Sequence, residues 1–322
     1  MTLWIRMNMF KHQKLNFFVV LLLCVKPCIA ADYTVENTYN KLRKHYPHMQ
    51  LPATTLPDSV IAHKALVYKQ TKTSAQTLDI YQQKQQTQTA PLIMLIHGGG
   101  WQSGTPALMA SLAIALVERG YVVAAPSYRL SDEAPYPAAV EDLVDAFHWL
   151  KSNAAQYNID STKIALAGGS AGGQLAALLA YSGGIVDSIT TKSKRFNVQA
   201  LINIDGLSDF TSPEALPFEN NPAKAVTSAS KWLGGRYETI PKRWHDASPI
   251  FYIDKNAPAT LFINSSVPRF RAGRDSAIQK LHDLHIYSHV YQFDDAPHSF
   301  WLFQPWLSPT TTVIDNFLTA QF

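Results

Sequence analysis

The segment Gly168-Gly169-Ser170-Ala171-Gly172 has the form G-x-S-x-G, in which a nucleophilic serine stands on a sharp turn. The apolar stretch KIALAGG before it predicts a strand, and AGGQLAALLAYS after it predicts a helix. Small neighbours are needed because Cβ atoms would clash on such a turn. The turn leaves the serine Oγ exposed at the helix N-terminus, where the helix dipole favours negative charge. The pattern therefore predicts that Ser170 is a nucleophile, with a glycine-rich turn lacking chemistry as the alternative.

A serine hydroxyl is a weak nucleophile until a base takes its proton. Among the eleven histidines, His298 alone lies in a loop directly after the last predicted strand, within YQFDDAPHSFW. This placement predicts His298 as the general base. A metal cluster of His282, His285 and His289 is the weaker interpretation, because their neighbours indicate an exposed helix and strand. We expect no metal and no organic cofactor.

Three consecutive glycines follow an early predicted strand in LIHGGGWQSG. Glycine allows bare backbone N–H groups to approach another group closely. Acyl transfer needs such donors, aimed at the oxygen that becomes negative in the transition state. We expect the N–H groups of Gly99, Gly100 and Ala171 to form this oxyanion hole, and a plain turn is the alternative.

The elements that must position these residues alternate between strand and helix from about residue 66 onward. This alternation predicts a mostly parallel sheet covered by helices. The predicted strands are 91–97, 121–128, 163–169, 198–204, 259–266 and 287–293, and the predicted helices are 108–120, 136–154, 171–182 and 276–285. Residues 207–249 have few strand signals and many Pro, Asn and Ser, so we interpret them as an insertion over the sheet, a partial lid.

The composition, with 47% hydrophobic and 16% charged residues over 322 positions, fits one large globular α/β domain. The formal net charge of +4 arises entirely within residues 1–30, which hold four basic residues and no acidic ones. The remainder has 24 basic and 24 acidic side chains, so there is no electrostatic case for nucleic-acid binding.

Residues 1–30 have the pattern of a secretory signal peptide. Basic residues precede an apolar run from Leu15 to Val25, and Cys28-Ile29-Ala30 has the small-x-small form expected before cleavage. The run is shorter than the roughly 20 residues that a spanning helix needs. We expect cleavage after Ala30 and no stable membrane insertion afterwards, with an N-terminal anchor as the alternative. Both cysteines lie in this segment, so residues 31–322 cannot form disulfides, as fits a secreted or periplasmic bacterial protein.

The motifs HGGGW, YRL, YPAAVEDL, GGSAGG and APHSFW together resemble the α/β-hydrolase fold, specifically esterases related to the hormone-sensitive lipase group. The likeness runs from about residue 64 to 320. SSVPRFRAGRD and PHSFWLFQPW are similar to exported bacterial carbohydrate esterases, which remove acetyl, methyl or feruloyl groups from polysaccharides such as pectin and xylan. The resemblance implies one catalytic domain over residues 31–322, a serine carboxylesterase that acts through an acyl-enzyme on small-molecule or oligosaccharide esters.

The acid that should orient His298 departs from the family pattern. The family's usual place is the loop directly after the strand ATLFINSS, where Ser266 stands. Our first choice is Asp275, at the predicted start of the next helix, although a helix cap or an ion pair with a neighbouring arginine would also explain it. The second choice is Asp205 at the end of LINID, since some α/β-hydrolases carry the acid after that earlier strand.

Aromatic residues near the motifs either stack on a sugar ring as substrate-binding groups or belong to the core: Trp101, Tyr128, Phe300 and Trp301. Two other functions stay open at this point. One is an amide hydrolase or peptidase of the same fold, and the other is a non-catalytic carbohydrate-binding relative.

Overall fold

The computed structural model describes residues 33–53, 55–72, 74–185 and 196–322, so the predicted signal peptide lies outside the described residues. Its centre is an eight-stranded sheet. The strands are β1 (Val60–Gln70), β2 (Ala75–Gln83), β3 (Ala90–Ile96), β4 (Val122–Pro126), β5 (Ile159–Gly169), β6 (Ala200–Ile204), β7 (Ala259–Asn264) and β8 (Ser288–Gln292). Their order is β1-β2-β4-β3-β5-β6-β7-β8. Strand β2 runs antiparallel to both β1 and β4, and all other neighbours are parallel. The predicted mostly parallel sheet is confirmed.

Helices cover both faces of the sheet. Their bounds are α1 (Val35–Leu42), α2 (Ala110–Val117), α3 (Ala138–Ser152), α4 (Ala171–Ser182), α5 (Leu216–Glu219), α6 (Ser228–Leu233), α7 (Pro241–Asp246), α8 (Arg274–Asp283) and α9 (Leu307–Gln321). Residues of α1, α2 and α9 pack in the hydrophobic cluster on one face, and residues of α3, α4 and α8 pack in the cluster on the other. None of the helices in the described ranges is both long enough and apolar enough to cross a bilayer.

The strand β3 shows why the apolar run 91–97 is continuous rather than alternating. Leu92, Met94 and Ile96 belong to one hydrophobic cluster, whereas Ile93 and Leu95 belong to the other. Successive side chains of a strand point to opposite faces, and both faces of this sheet are covered by helices. Every side-chain position from 92 to 96 is therefore buried and apolar.

The segment 207–249 lies between β6 and β7 and contains the three short helices α5, α6 and α7. Two of its tryptophans, Trp232 and Trp244, are fully buried in the same hydrophobic cluster as α3 and α4. The segment is thus anchored to the domain core by large apolar side chains. Its description as a partial lid over the active site stays a prediction.

Two of the motif residues near the sheet form a buried ionic network. Asp142 on α3 is fully buried and accepts hydrogen bonds from the backbone N–H, Nε and Nη2 of Arg129, at 2.8 to 2.9 Å. Lys69 on β1 places its Nζ 2.7 Å from the same carboxylate. The network joins β1, the loop after β4 and α3, so these charged residues hold the fold together rather than act on a substrate.

We expect Asp142→Asn to lower the free energy of unfolding by about 3 kcal/mol, because it removes the buried carboxylate shared by Arg129 and Lys69 and leaves them only the more exposed Glu141 and Asp145. Urea denaturation followed by circular dichroism measures the loss. The matched control is Glu141→Gln, next in sequence and more exposed, which we expect to cost less than about 1 kcal/mol. Equal losses in the two variants would contradict the central role of Asp142.

Candidate active site

Ser170 occupies the turn between the end of β5 and the start of α4. Its φ is 57° and its ψ is −123°, a strained conformation for a residue with a side chain. A Cβ on Gly168 would lie 2.2 Å from the carbonyl oxygen of Gly172, and a Cβ on Gly172 would lie 2.1 Å from that of Ile96. The glycines of G-x-S-x-G are therefore required by close backbone approach, and they leave the serine at the positive end of the α4 dipole.

His298 joins Ser170 to an aspartate. Its Nδ1 lies 2.9 Å from Oδ2 of Asp205, and its Nε2 lies 2.9 Å from Oγ of Ser170. A carboxylate only accepts hydrogen bonds, so Nδ1 carries the proton of the neutral imidazole and Nε2 accepts from the serine hydroxyl. This is the arrangement in which histidine can take the serine proton. The ring of Phe270 covers one face of the imidazole, with ring centroids 3.4 Å apart and planes 8° from parallel.

Asp205 follows β6 directly and is 1% exposed. Its Oδ1 accepts the backbone N–H of Ser265 at 2.8 Å and the side-chain amide of Asn264 at 3.3 Å. Both donors come from the end of β7, the neighbouring parallel strand. The loop where the family usually carries its acid thus donates hydrogen bonds to an acid on the preceding strand.

The structure does not bring Asp275 to His298, so our first choice of acid is wrong. The Asp275 side chain is 80% exposed, and its Oδ1 pairs with Nε and Nη2 of Arg274 at 2.8 and 2.7 Å. The alternative of an ion pair with a neighbouring arginine is the correct description. The helix α8 begins at Arg274, and Asp275 lies on its exposed side.

The loop His97-Gly98-Gly99-Gly100 follows β3 and lies beside the turn that carries Ser170. Gly99 has a φ of 124°, and a Cβ there would lie 2.0 Å from the carbonyl oxygen of Ser103. Gly100 has a φ of 60°. Within the described ranges, the backbone N–H groups of Gly99, Gly100 and Ala171 donate to no acceptor. Three free donors are thus present at the residues predicted for the oxyanion hole.

His97 supports this loop from inside the core. Its Nδ1 lies 2.8 Å from the carbonyl oxygen of Gly98, and its ring stacks on Tyr128 with centroids 4.4 Å apart. The Tyr128 hydroxyl donates to the His97 carbonyl oxygen at 2.9 Å. Complete burial lowers the pKa of His97 to about 4, because the charged imidazolium is disfavoured there.

The predicted sugar-stacking role does not fit most of the aromatic residues. Tyr128, Phe300 and Trp301 are at most 2% exposed, and the Trp301 ring packs edge-on against His298 with centroids 5.5 Å apart. Trp101 borders the cavity at Ser170, but its ring is stacked on Trp232 and its Nε1 donates to Gln174. These aromatic side chains shape the site as core residues.

A cavity of about 80 Å³ lies over Ser170. Its lining includes the expected residues Gly100, Trp101, Ser170, Ala171 and Asp205, together with Leu207, Glu219, Ser228, Arg269 and Phe270. Sequence patterns did not single out Glu219, Ser228 or Phe270, because they lie in or at the ends of helices of four to six residues, which are too short to show a periodic pattern. The polar residues among them come from the insertion 207–249 and from the loop after β7.

Ser170 stands on a strand-to-helix turn and is hydrogen-bonded through His298 to Asp205, and both of these partners follow later strands of one mostly parallel sheet. This arrangement places the protein among the α/β hydrolases. The sequence profile of the BD-FAE family matches residues 78–268, more than half of the chain. The chain therefore belongs to the BD-FAE family.

Curated relatives and solved structures agree with this placement. Esterase LipC of Mycobacterium tuberculosis is 29% identical over 199 residues, which are 60% of this chain and 48% of LipC. The probable carboxylic ester hydrolase LipM of the same organism is 31% identical over 53% of this chain and 40% of LipM. The chain thus spans about half the length of these relatives or less. A solved structure described as a truncated carbohydrate esterase from gut microbiota superposes with a TM-score of 0.67 at 22% identity, over 84% of this chain and 99% of that one.

We expect Asp205→Asn to lower kcat for p-nitrophenyl acetate by about 10⁴-fold, because the amide cannot hold His298 in the tautomer that accepts the serine proton. The matched variant Asp275→Asn should stay within about threefold of the wild type, because its exposed side chain pairs with Arg274 and makes no contact with His298 among the described residues. Steady-state kinetics on both variants makes the comparison. A larger loss in Asp275→Asn than in Asp205→Asn would restore Asp275 as the acid.

We expect the free energy of unfolding to fall by up to about 3 kcal/mol between pH 6.5 and pH 4 because of His97. In that interval the unfolded chain binds a proton at His97, whereas the folded chain excludes it until the pH reaches its lowered pKa of about 4. Urea denaturation at several pH values should show a flatter dependence for His97→Asn than for the wild type. Parallel curves for the two proteins would rule out this contribution.

Proposed function

We propose that the protein is a carboxylic ester hydrolase that removes acyl groups, acetyl in the first place, from plant cell-wall polysaccharides or their oligosaccharides. We propose also that it is exported, with cleavage after Ala30. The observation that supports the activity best is the hydrogen-bonded chain Ser170–His298–Asp205 beside three unpaired backbone N–H groups. A protein that only bound carbohydrate would have no need of that chain.

The geometry supports a two-step mechanism. His298 Nε2 takes the proton as Ser170 Oγ forms a bond to the ester carbonyl carbon, and the carbonyl oxygen becomes an oxyanion held by Gly99, Gly100 and Ala171. The bond to the alcohol then breaks, and His298 returns the proton to the leaving alkoxide. Water, deprotonated by the same histidine, attacks the acyl-enzyme and releases the carboxylic acid and free Ser170. Asp205 keeps Nδ1 protonated and stabilises the imidazolium in both steps.

The size of the cavity favours a short acyl group. Its volume of about 80 Å³ is two to three times the roughly 30 Å³ that one water molecule occupies in the liquid. An acetyl group fits such a space, whereas a feruloyl group carries an aromatic ring and a propenoyl chain. In a methyl-esterified uronate the acyl part is the sugar itself, which is also too large. Among the acetyl, methyl and feruloyl esters that the sequence suggests, acetyl esters fit best.

The carbohydrate part of the proposal has separate support. The motifs SSVPRFRAGRD and PHSFWLFQPW resemble those of exported carbohydrate esterases. The gut-microbiota structure with the same fold is described as a carbohydrate esterase, and LipC is named an esterase. Esters of sugars are thus the substrate class that agrees with both comparisons.

The test is to incubate residues 31–322 with acetylated xylan and with pectin, and to measure acetate, methanol and ferulate together. We expect acetate release by the wild type and a rate at least about a thousandfold lower for Ser170→Ala, which lacks the nucleophile. The control Ser266→Ala removes a hydroxyl that donates to the Ala296 carbonyl outside the cavity, and it should keep the wild-type rate.

Each outcome of this test has a definite meaning. Acetate release that survives in Ser170→Ala would refute Ser170 as the nucleophile. Methanol or ferulate in excess of acetate would refute the argument from cavity size. If p-nitrophenyl acetate is cleaved but neither polysaccharide is, the carbohydrate substrate class is wrong while the esterase activity stands.

A further inference from the structure

A buried carboxylate that the mechanism does not use lies on the wall of the catalytic cavity. Glu219 is the last residue of α5 and is 2% exposed. It lines the same cavity of about 80 Å³ as Ser170. Removing a carboxylate from water is costly unless partners compensate it, so its presence at this position requires an explanation.

Arg269 forms hydrogen bonds with only one of the two oxygens of this carboxylate. Its Nε and Nη2 lie 2.9 and 2.7 Å from Glu219, and both contact the same oxygen, Oε1. No hydrogen bond to the second oxygen, Oε2, is present in the part of the chain that the structure describes. An arginine and a carboxylate commonly use two parallel bonds, one to each oxygen, so this geometry leaves one strong acceptor unused.

The arginine itself is held in place by aromatic rings. Its guanidinium carbon lies 5.5 Å from the centroid of Phe218 and 5.1 Å from that of Phe270. Phe270 in turn stacks on His298. The ion pair is therefore tied to the catalytic histidine through a packed ring, which keeps Glu219 at a constant position relative to the reacting atoms.

The surroundings of the pair are polar and open on one side. Ser228, which also lines the catalytic cavity, has no hydrogen bond from its Oγ among the described residues. A second cavity of about 600 Å³ shares Ser228 and Arg269 with the first and is also lined by Gln102, Lys224, Thr227 and Lys231. The alcohol part of an ester held at Ser170 can thus extend into a space lined by these polar side chains together with Phe218 and Val226.

The geometry points to Glu219, oriented by Arg269, as a specificity residue that accepts a hydrogen bond from a free hydroxyl beside the ester, as on a pyranose ring. The catalytic cavity is so small that only a group a few bonds from the ester carbonyl reaches Glu219, which selects the neighbouring hydroxyl rather than a distant one. An ester without that hydroxyl leaves the carboxylate desolvated and unpaired, so it is hydrolysed less efficiently. This inference rests on the proposed function, because it assumes that the alcohol carries hydroxyl groups.

A pair of small substrates isolates the effect of the hydroxyl. trans-2-Hydroxycyclohexyl acetate presents a six-membered ring with a hydroxyl next to the ester, and cyclohexyl acetate lacks only that hydroxyl. We expect the wild type to have a kcat/KM at least about tenfold higher for the hydroxylated ester, the effect of one hydrogen bond to a charged group. In Glu219→Gln this ratio should fall below threefold, chiefly through a lower kcat/KM for the hydroxylated ester.

Two further variants make the test specific. Glu214→Gln neutralises an exposed carboxylate of the same insertion and should keep the wild-type ratio. Glu219→Asp keeps the charge for Arg269 but draws the oxygens back by one methylene, and we expect it to lose most of the ratio. If Glu219→Gln does not fold, the ratio in Glu219→Asp decides: a loss supports the inference, and an unchanged ratio overturns it.

The other outcomes separate this inference from the proposed function. Any one of three results would overturn the role of Glu219. The first is a wild-type enzyme with equal kcat/KM for the two esters, and the second is a hydroxyl preference that persists in Glu219→Gln. The third is an equal loss of kcat/KM on both esters in that variant. Acetate release from acetylated xylan is measured on the same proteins. Release by the wild type without any change in Glu219→Gln leaves the proposed function intact and overturns the inference. A hydroxyl preference in the wild type without release from xylan refutes the polysaccharide substrate and supports the subsite.

Discussion

The hydrogen bond from His298 Nδ1 to the buried carboxylate of Asp205 is the interaction on which the rest of the site depends. It decides which imidazole nitrogen carries the proton and therefore whether Nε2 can accept the proton of Ser170. Asp205 can serve only because Ser265 and Asn264, at the end of the neighbouring strand β7, donate to its other oxygen. The parallel pairing of β6 with β7 is thus a requirement of the chemistry as well as of the fold.

Close backbone approach is the second constraint, and it explains the glycines. The turn at Ser170 lies against β3, with Gly172 too near the carbonyl oxygen of Ile96 for any side chain. The same approach places the glycine loop after β3 beside the N-terminus of α4, so that the N–H groups of Gly99, Gly100 and Ala171 are available together. Strain at Ser170 and the positive φ of Gly99 are tolerated because the buried sheet and α4 hold both segments.

Around this rigid centre, the cavity walls come from the connections between strands. The insertion 207–249 supplies Glu219 and Ser228, and the loop after β7 supplies Arg269 and Phe270. The ion pair between Glu219 and Arg269 joins the two segments, and the stacking of Phe270 on His298 joins them to the histidine. The proposed catalytic residues thus follow strands of the sheet, whereas the residues proposed to select the substrate lie in the connections, a division common in α/β folds.

The sequence by itself determined the local features of this protein. Patterns of a few neighbouring residues predict the strands β3 to β8, the helices α2, α3, α4 and α8, the turn at Ser170 and the loop of His298. Mixed patterns left the edge strand β1, its neighbour β2 and the helices α1 and α9 unpredicted. Only the tertiary structure decided between Asp205 and Asp275, buried Tyr128 and Trp301 in the core, and brought Glu219 to Arg269 across 50 positions. These outcomes depend on strand order and side-chain packing between distant segments, which leave no periodic signal in either segment alone.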